Sequence, residues 1–222
     1  MKYKRKISYI IIFMLTIMLL ASCVQEIDKP ETEEQTEEPE QQEQQENKVD
    51  IGTYYPLAVG NQWEYEGVGN EFAEYTQKVI YSKDNKYQVM IDNGGTITAN
   101  IYVLRDESLV RTYSEAEVYD EKNVLDEESN MEDIIIKLPL KVGTKWESQG
   151  NQCEITDIDA TVTVPAGTFD NCIVIKVTYK ESGAFSNLYY CKEVGLVKSE
   201  YIDNDNDFEV LSLLRSYNLS DK

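Results

Sequence analysis

The sequence predicts an all-β domain, or β with one short helix at most, built as an antiparallel meander that curves into a sheet or half-barrel. Three observations predict it. Apolar and polar residues alternate at period two in several segments, which puts the apolar set on one face of a pleated strand. Clusters of Gly, Asn, Asp and Pro punctuate the chain at intervals of roughly 8–14 residues, the spacing of a meander. Amphipathic stripes at the 3.6-residue period of a helix are absent beyond the N-terminal apolar run.

The chain begins with Lys2, Lys4, Arg5 and Lys6, followed by 12 apolar-rich residues from Tyr9 to Leu20 and the run Leu20-Ala21-Ser22-Cys23. A basic start, a short apolar core and a small-residue exit are the layout of a secretory signal. The apolar run is shorter than the roughly 18–20 residues a spanning helix needs, which argues against an uncleaved membrane anchor. Leu20 to Cys23 resembles the lipobox of bacterial lipoproteins. That resemblance implies a signal peptide over 1–22, and Cys23 as the lipidated new N-terminus, its thioether diacylglyceryl and acyl (palmitate-type) chains holding the protein to the outer face of a cell membrane.

Residues 23–50 read as a tether. Val24 to Asp50 holds eleven acidic residues, two lysines, two prolines and very little apolar surface. Such a segment cannot bury enough area to offset its ordering entropy. As a flexible coil it spans about 28 Å, and more under its own charge repulsion. The remaining residues, 51–222, form a single β-rich extracytoplasmic domain.

That domain contains an internal echo. Pro56-Leu57-Ala58-Val59-Gly60-Asn61-Gln62-Trp63-Glu64 returns as Pro139-Leu140-Lys141-Val142-Gly143-Thr144-Lys145-Trp146-Glu147, and both tryptophans of the chain lie in it. The pattern reads as an extended approach, a glycine turn, and a tryptophan opening a strand. Two copies predict two equivalent corners. Trp63 and Trp146 are candidates for either of two roles, core aromatic or ligand contact.

Further along, Ile97, Ala99, Ile101 and Val103 alternate with their neighbours, as do Ile158, Ala160, Val162 and Val164, and then Ile173, Ile175, Val177 and Tyr179. These predict half-buried strands. Asp92-Asn93-Gly94-Gly95, Pro165-Ala166-Gly167, Glu181-Ser182-Gly183 and Asp203 to Asp207 predict the turns between them. Ser114 to Asn130 is acidic and less alternating, and fits a short helix or an extended loop.

Composition narrows the function. The net charge is −20, and near −24 once the four basic residues of the signal are gone, so nucleic-acid and anionic-lipid surfaces are repelled. With no histidine, Ser-His-Asp and Cys-His catalysis and His-rich zinc sites are excluded. Cys153, Cys172 and Cys191 are spaced unlike a short zinc motif. They read as small core residues; a Cys172–Cys191 disulfide is allowed, but spacing does not assign it. Asp203, Asp205 and Asp207 alternate as in a calcium loop, yet Phe208 and Leu214 stand where that loop needs Gly and Glu, so a polar hairpin tip is expected and no metal. The sixteen tyrosines suit strands as well as they suit ligand platforms. No catalytic or cofactor motif is present.

Tyr55-Pro56-Leu57 with Gly60 and Trp63, Leu138-Pro139-Leu140 with Gly143 and Trp146, Val164-Pro165-Ala166-Gly167-Thr168-Phe169 with Cys172, Tyr189-Tyr190, and Val194-Gly195-Leu196-Val197-Lys198 together resemble a family of uncharacterised Gram-positive lipoproteins. The pattern is similar to half-barrels of the lipoprotein-carrier type, which implies a curved antiparallel sheet around an apolar cavity. The expectation is a membrane-anchored, non-catalytic binding module for a small apolar or envelope-derived ligand. The alternative is a scaffold that docks on another envelope protein; a hydrolase built on paired carboxylates has no motif behind it.

Overall fold

The computed structural model describes residues 50–220; the predicted signal peptide, Cys23 and the tether up to residue 49 lie outside the described residues. Twelve strands follow in chain order: β1 (Gln62–Val68), β2 (Tyr75–Lys83), β3 (Lys86–Asp92), β4 (Ile97–Leu104), β5 (Ser108–Glu115), β6 (Asp133–Lys137), β7 (Lys145–Ser148), β8 (Asn151–Val164), β9 (Gly167–Thr178), β10 (Phe185–Cys191), β11 (Gly195–Asp203) and β12 (Phe208–Asn218). Among the described residues the helical turns are two short 3-10 segments, Ile51–Tyr54 and Glu71–Ala73. The all-β meander expected from the sequence is what forms.

Strand order in the sheet is β6-β5-β4-β3-β2-β1-β12-β11-β10-β9-β8-β7. Every pair of strands consecutive in sequence is hydrogen-bonded except β6 and β7, and the one non-sequential pairing is β1 with β12, from Gln62↔Asn218 to Val68↔Leu211. That pairing leaves β6 and β7 as the two edges, and the curvature brings them together, so the sheet nearly closes into a barrel. All pairings are antiparallel, so connections alternate between two ends. The end at which the chain arrives from residue 50 is called proximal here; the β2–β3, β4–β5, β6–β7, β8–β9 and β10–β11 connections share it.

The two echoed corners are equivalent. In the first, the Gly60 amide donates to the Val79 carbonyl (2.9 Å), and Asn61 Nδ2 donates to the Pro56 carbonyl (2.6 Å). In the second, the Gly143 amide donates to the Ile155 carbonyl (2.8 Å), and Thr144 Oγ1 donates to the Pro139 carbonyl (2.8 Å). Gly60 and Gly143 hold φ of 96° and 87°, the left-handed region that glycine tolerates. One corner opens β1 and the other β7, so the barrel divides into two six-strand halves with the same start.

The tryptophans bridge places where ladder bonding lapses. β6 and β7 share no ladder; instead the Trp146 indole donates to the Ile134 carbonyl (2.9 Å), and Ser148 Oγ accepts from the Ile134 amide (2.7 Å). β11 pairs with β12 only from Lys198 onward. Before that point side chains of β1 take the carbonyls, Trp63 Nε1 donating to Val194 just ahead of β11 and Tyr65 Oη to Leu196 within it, both at 2.7 Å. Buried carbonyls need partners, and these donors supply them.

Inside, the barrel is packed with Trp63, Tyr65, Val79, Val89, Ile136, Ile155, Ile173 and Leu214, all fully or almost fully buried. Tyr55 lies at their proximal edge, with ring centroids 5.7 Å from Trp63, 5.5 Å from Tyr102 and 6.1 Å from Tyr190. Ile173, Ile175 and Val177 face this core as the alternation predicts. In β4 the apolar stripe does something else. Tyr102 joins the barrel core, while Ala99, Ile101 and Val103 pack on the outer face against Val118, Val124 and Leu125. Those partners belong to the acidic stretch Ser114 to Asn130, which completes β5 at Glu115 and then runs as an extended strap rather than a helix. Gln88 pins it, accepting from the Val124 amide (2.8 Å) and donating to the Lys122 carbonyl (2.7 Å).

Cys172 and Cys191 stand opposite one another on β9 and β10 and form a disulfide, while Cys153 is a buried free thiol. All three cysteines are buried in the core, as expected, and cross-strand register decides the Cys172–Cys191 pairing that sequence spacing left open.

Candidate functional site

The proximal end is built from the approach to β1. Asp50 caps the 3-10 turn, its Oδ1 accepting from the Gly52 amide (2.9 Å). The Thr53 carbonyl accepts from the Glu193 amide (2.6 Å), which fixes this turn against the β10–β11 connection. Tyr55 then enters the core and donates its hydroxyl to Gln77 Oε1 (2.8 Å). Between this segment, the start of β3, the end of β4 and the residues after β12 lies a hollow of about 440 Å³. Its apolar lining comes from Tyr55, Leu57, Tyr87, Leu104 and Leu219. That volume lies within the ordinary range of small-molecule sites, roughly 300–1,000 Å³.

Most polar side chains of this hollow are engaged within the protein. Asn61 donates to Pro56 and accepts from Ser220, whose amide and hydroxyl lie at 2.8 and 2.6 Å. Thr53 Oγ1 donates to the Asp50 carbonyl (2.7 Å). The Glu193 carboxylate has no side-chain bond or ion pair among the described residues, and neither has Asp50 Oδ2 or the Tyr87 hydroxyl. Among the described residues the lining contains two acids, Asp50 and Glu193, and no base.

A second hollow, about 270 Å³, lies by the β6–β7 seam. Arg111 Nη2 donates to Asp133 Oδ2 (2.8 Å), and Asp133 Oδ1 accepts from Ser148 (2.7 Å). Burial opposes the Arg111 charge, but the neighbouring Tyr102 and Asp133 outweigh it and hold the guanidinium protonated. Arg111 Nε is buried without a partner. Burial, reinforced by the Asp133 carboxylate, pushes the Cys153 thiol up to about 11, the state of an inert thiol rather than a nucleophile.

The structure places the sequence-derived candidates as follows. Trp63 and Trp146 are 0% and 6% exposed, and both indole N–H groups are engaged with backbone carbonyls. Cys23 lies outside the described residues. Asp203 accepts from the Asp205 and Asn206 amides (3.1 and 3.3 Å) and from Asn206 Nδ2 (2.7 Å), the bonding of a hairpin tip. Among the described residues no group of three or more His, Cys, Asp or Glu is placed to hold a metal ion. Asp126, Glu132 and Glu147 are held below the usual carboxylate range by bonds from Lys83, Arg105 and Lys180 respectively. Glu200 is also lowered: burial opposes this, and bonds from Lys198, Tyr189 and Asn187 prevail. Such carboxylates are ion-pair partners and not general acids.

No known family profile and no curated protein matches the chain. Two solved structures are similar to it. One is a candidate lipoprotein from Parabacteroides distasonis, 17% identical, with a TM-score of 0.44, covering 75% of this chain and 98% of that one. The other is a candidate exported protein with a YmcC-like fold from Bacteroides fragilis, 14% identical, with a TM-score of 0.41, covering 73% and 97%.

Sequence reading did not single out Glu193, Tyr87, Leu104 or Leu219. They come from four separate places in the chain, and only the barrel brings them to one end. The signal that was there is the glycine corner, which fixes where Leu57 and Asn61 sit.

Proposed function

We propose that the protein is a lipid-anchored, extracytoplasmic, non-catalytic binding module that holds the aliphatic part of an envelope-derived ligand in its proximal hollow. The observation that carries this reading is the hollow itself: about 440 Å³ at the proximal end of the barrel, with an apolar lining from Tyr55, Leu57, Tyr87, Leu104 and Leu219. Two further features support the reading. The Cys172–Cys191 disulfide suits an oxidising compartment outside the cytoplasm. The net charge of −20 leaves lipid, not a basic surface, as the means of attachment.

The test is titration of the lipid-free mature chain with decyl maltoside below its micelle concentration, followed through the methyl resonances of Leu104 and Leu219. Saturable shifts at these two residues are expected. Ala58→Trp, which places an indole in the half-buried lining, should abolish them while leaving the circular dichroism of the barrel unchanged. Absence of any saturable shift at Leu104 and Leu219 would overturn the assignment of the hollow.

A further inference from the structure

We infer that the ligand of the proximal hollow is an amine-headed amphiphile: one aliphatic chain ending in a protonated amine, with the amine held by Glu193 and Asp50. This rests on the reading of the hollow as an apolar-chain site and adds the chemistry of the head group.

The inference comes from which groups remain to meet a ligand. Apolar side chains offer only contact. Asn61, Thr53 and Ser220 are engaged with one another and with the backbone. What remains is the Glu193 carboxylate, one Asp50 oxygen and the Tyr87 hydroxyl. Glu193 and Asp50 are both exposed, so they stand at the rim, while Tyr55 is buried at the floor. Carboxylates only accept hydrogen bonds, so the polar end of the ligand must donate.

Charge sharpens the choice. Among the described residues, the bases that adjoin the lining in the chain are bound elsewhere or lie outside it. Arg105, next to Leu104, forms a paired bond to Glu132 (2.6 and 3.2 Å), and Lys86, next to Tyr87, donates to the Leu125 carbonyl (3.3 Å). Lys192 adjoins Glu193 but is exposed and outside the lining. A carboxylate or phosphate head would therefore meet like charge with no base of the described lining to offset it. A neutral head would donate hydrogen bonds to the carboxylates but would leave their charge unbalanced. An ammonium supplies three donors and the complementary sign. Glu193 also sits at φ 64°, a conformation Asn or Gly adopts more readily, so the backbone there does not call for a glutamate.

The experiment compares three probes that share a twelve-carbon chain: dodecylamine, dodecanoate and dodecyl maltoside. Each is titrated calorimetrically, below its micelle concentration and at 0.15 M salt, into the mature chain 23–222 carrying Cys23→Ser. That salt screens the diffuse field of an acidic protein beyond about 8 Å. Dodecylamine should bind one to one and about tenfold or more tighter than dodecanoate, the scale of a complementary against a repelled charge. The double variant Asp50→Asn, Glu193→Gln should bring the two within about threefold and leave dodecyl maltoside binding unchanged; Asn keeps the cap on Gly52. Dodecanoate binding as tightly as dodecylamine would overturn the amine inference and leave the apolar hollow standing. A preference that survives in the double variant would overturn it as well, by assigning the selectivity to the overall charge. Failure of all three probes to bind would remove the apolar-chain reading itself.

Discussion

The Trp146 indole donates to the Ile134 carbonyl at 2.9 Å, across the seam where β6 and β7 share no ladder. Its counterpart Trp63 donates to the Val194 carbonyl at 2.7 Å, 131 residues away in the chain. Both copies of the repeat thus put an indole where backbone bonding lapses. Trp63→Ala should cost about 3–5 kcal/mol, the usual loss for an emptied aromatic core site, and Trp146→Ala a similar amount. Trp146→Phe isolates the hydrogen bond: it should cost about 1–3 kcal/mol by leaving a half-buried carbonyl unpaired. It should also speed amide exchange in β6 more than in β3. Urea unfolding and hydrogen exchange check both statements, and equal exchange in the two strands would refute the bridging role.

The disulfide closes a loop with a sequence separation of 19. The double substitution Cys172→Ala, Cys191→Ala should lower stability by about 3 kcal/mol, the scale for a loop of this length. In the folded chain without Cys23, Cys153 should be the single thiol found on denaturation. Its alkylation in the native state should be slow at pH 8 and accelerate toward pH 11, where the thiol titrates. The sign follows from the shift: a folded-state pKa above the unfolded value favours the protonated, folded form at neutral pH and loses that contribution as pH rises from about 8.5 toward 11. Fast labelling at pH 8 would show that the thiol is accessible.

What the sequence made legible was what local rules decide. Val59-Gly60-Asn61 and Val142-Gly143-Thr144 carry their turn in the glycine, and Ile173, Ile175 and Val177 carry their face in the alternation. Two things escaped. The strap over β3 and β4 depends on Gln88, a polar residue buried because its amide meets the backbone of Lys122 and Val124, and nothing in a hydrophobic pattern marks that. The Cys172–Cys191 bond and the proximal hollow depend on register and closure, which are properties of the whole sheet. A period-two pattern says that one face is buried; it does not say that Ile101 and Tyr102 are buried on opposite faces by different partners.

Arg111 and Asp133 are 28% and 19% exposed and lie beside the aromatic core. Removing one partner strands the other. Asp133→Ala should cost about 2–3 kcal/mol, somewhat less than for a fully buried pair, since a half-buried guanidinium is left without its counter-ion. Replacing both, as Arg111→Met with Asp133→Leu, should recover most of that loss. Thermal denaturation of the three proteins decides. A double variant no more stable than Asp133→Ala would mean that the pair holds the seam by geometry as well as by charge.

A pair of variants tests the proposed lipid anchor at Cys23 and separates it from the acidic segment that follows. Cys23→Ser should abolish incorporation of a palmitate analogue and release the protein from the membrane fraction. Stable attachment takes acyl chains, and a segment with eleven acids and two lysines offers no electrostatic substitute. Deleting residues 25–49 should leave the label and the membrane attachment intact. It should also leave the melting temperature of the barrel within about two degrees, because a polar, charge-rich segment adds little packing to a folded domain. Equal labelling of wild type and Cys23→Ser would refute the lipid attachment. A fall in melting temperature well beyond two degrees in the deletion would show that the tether folds against the barrel, and the proximal hollow, which begins at Asp50, is where that contact would then be sought.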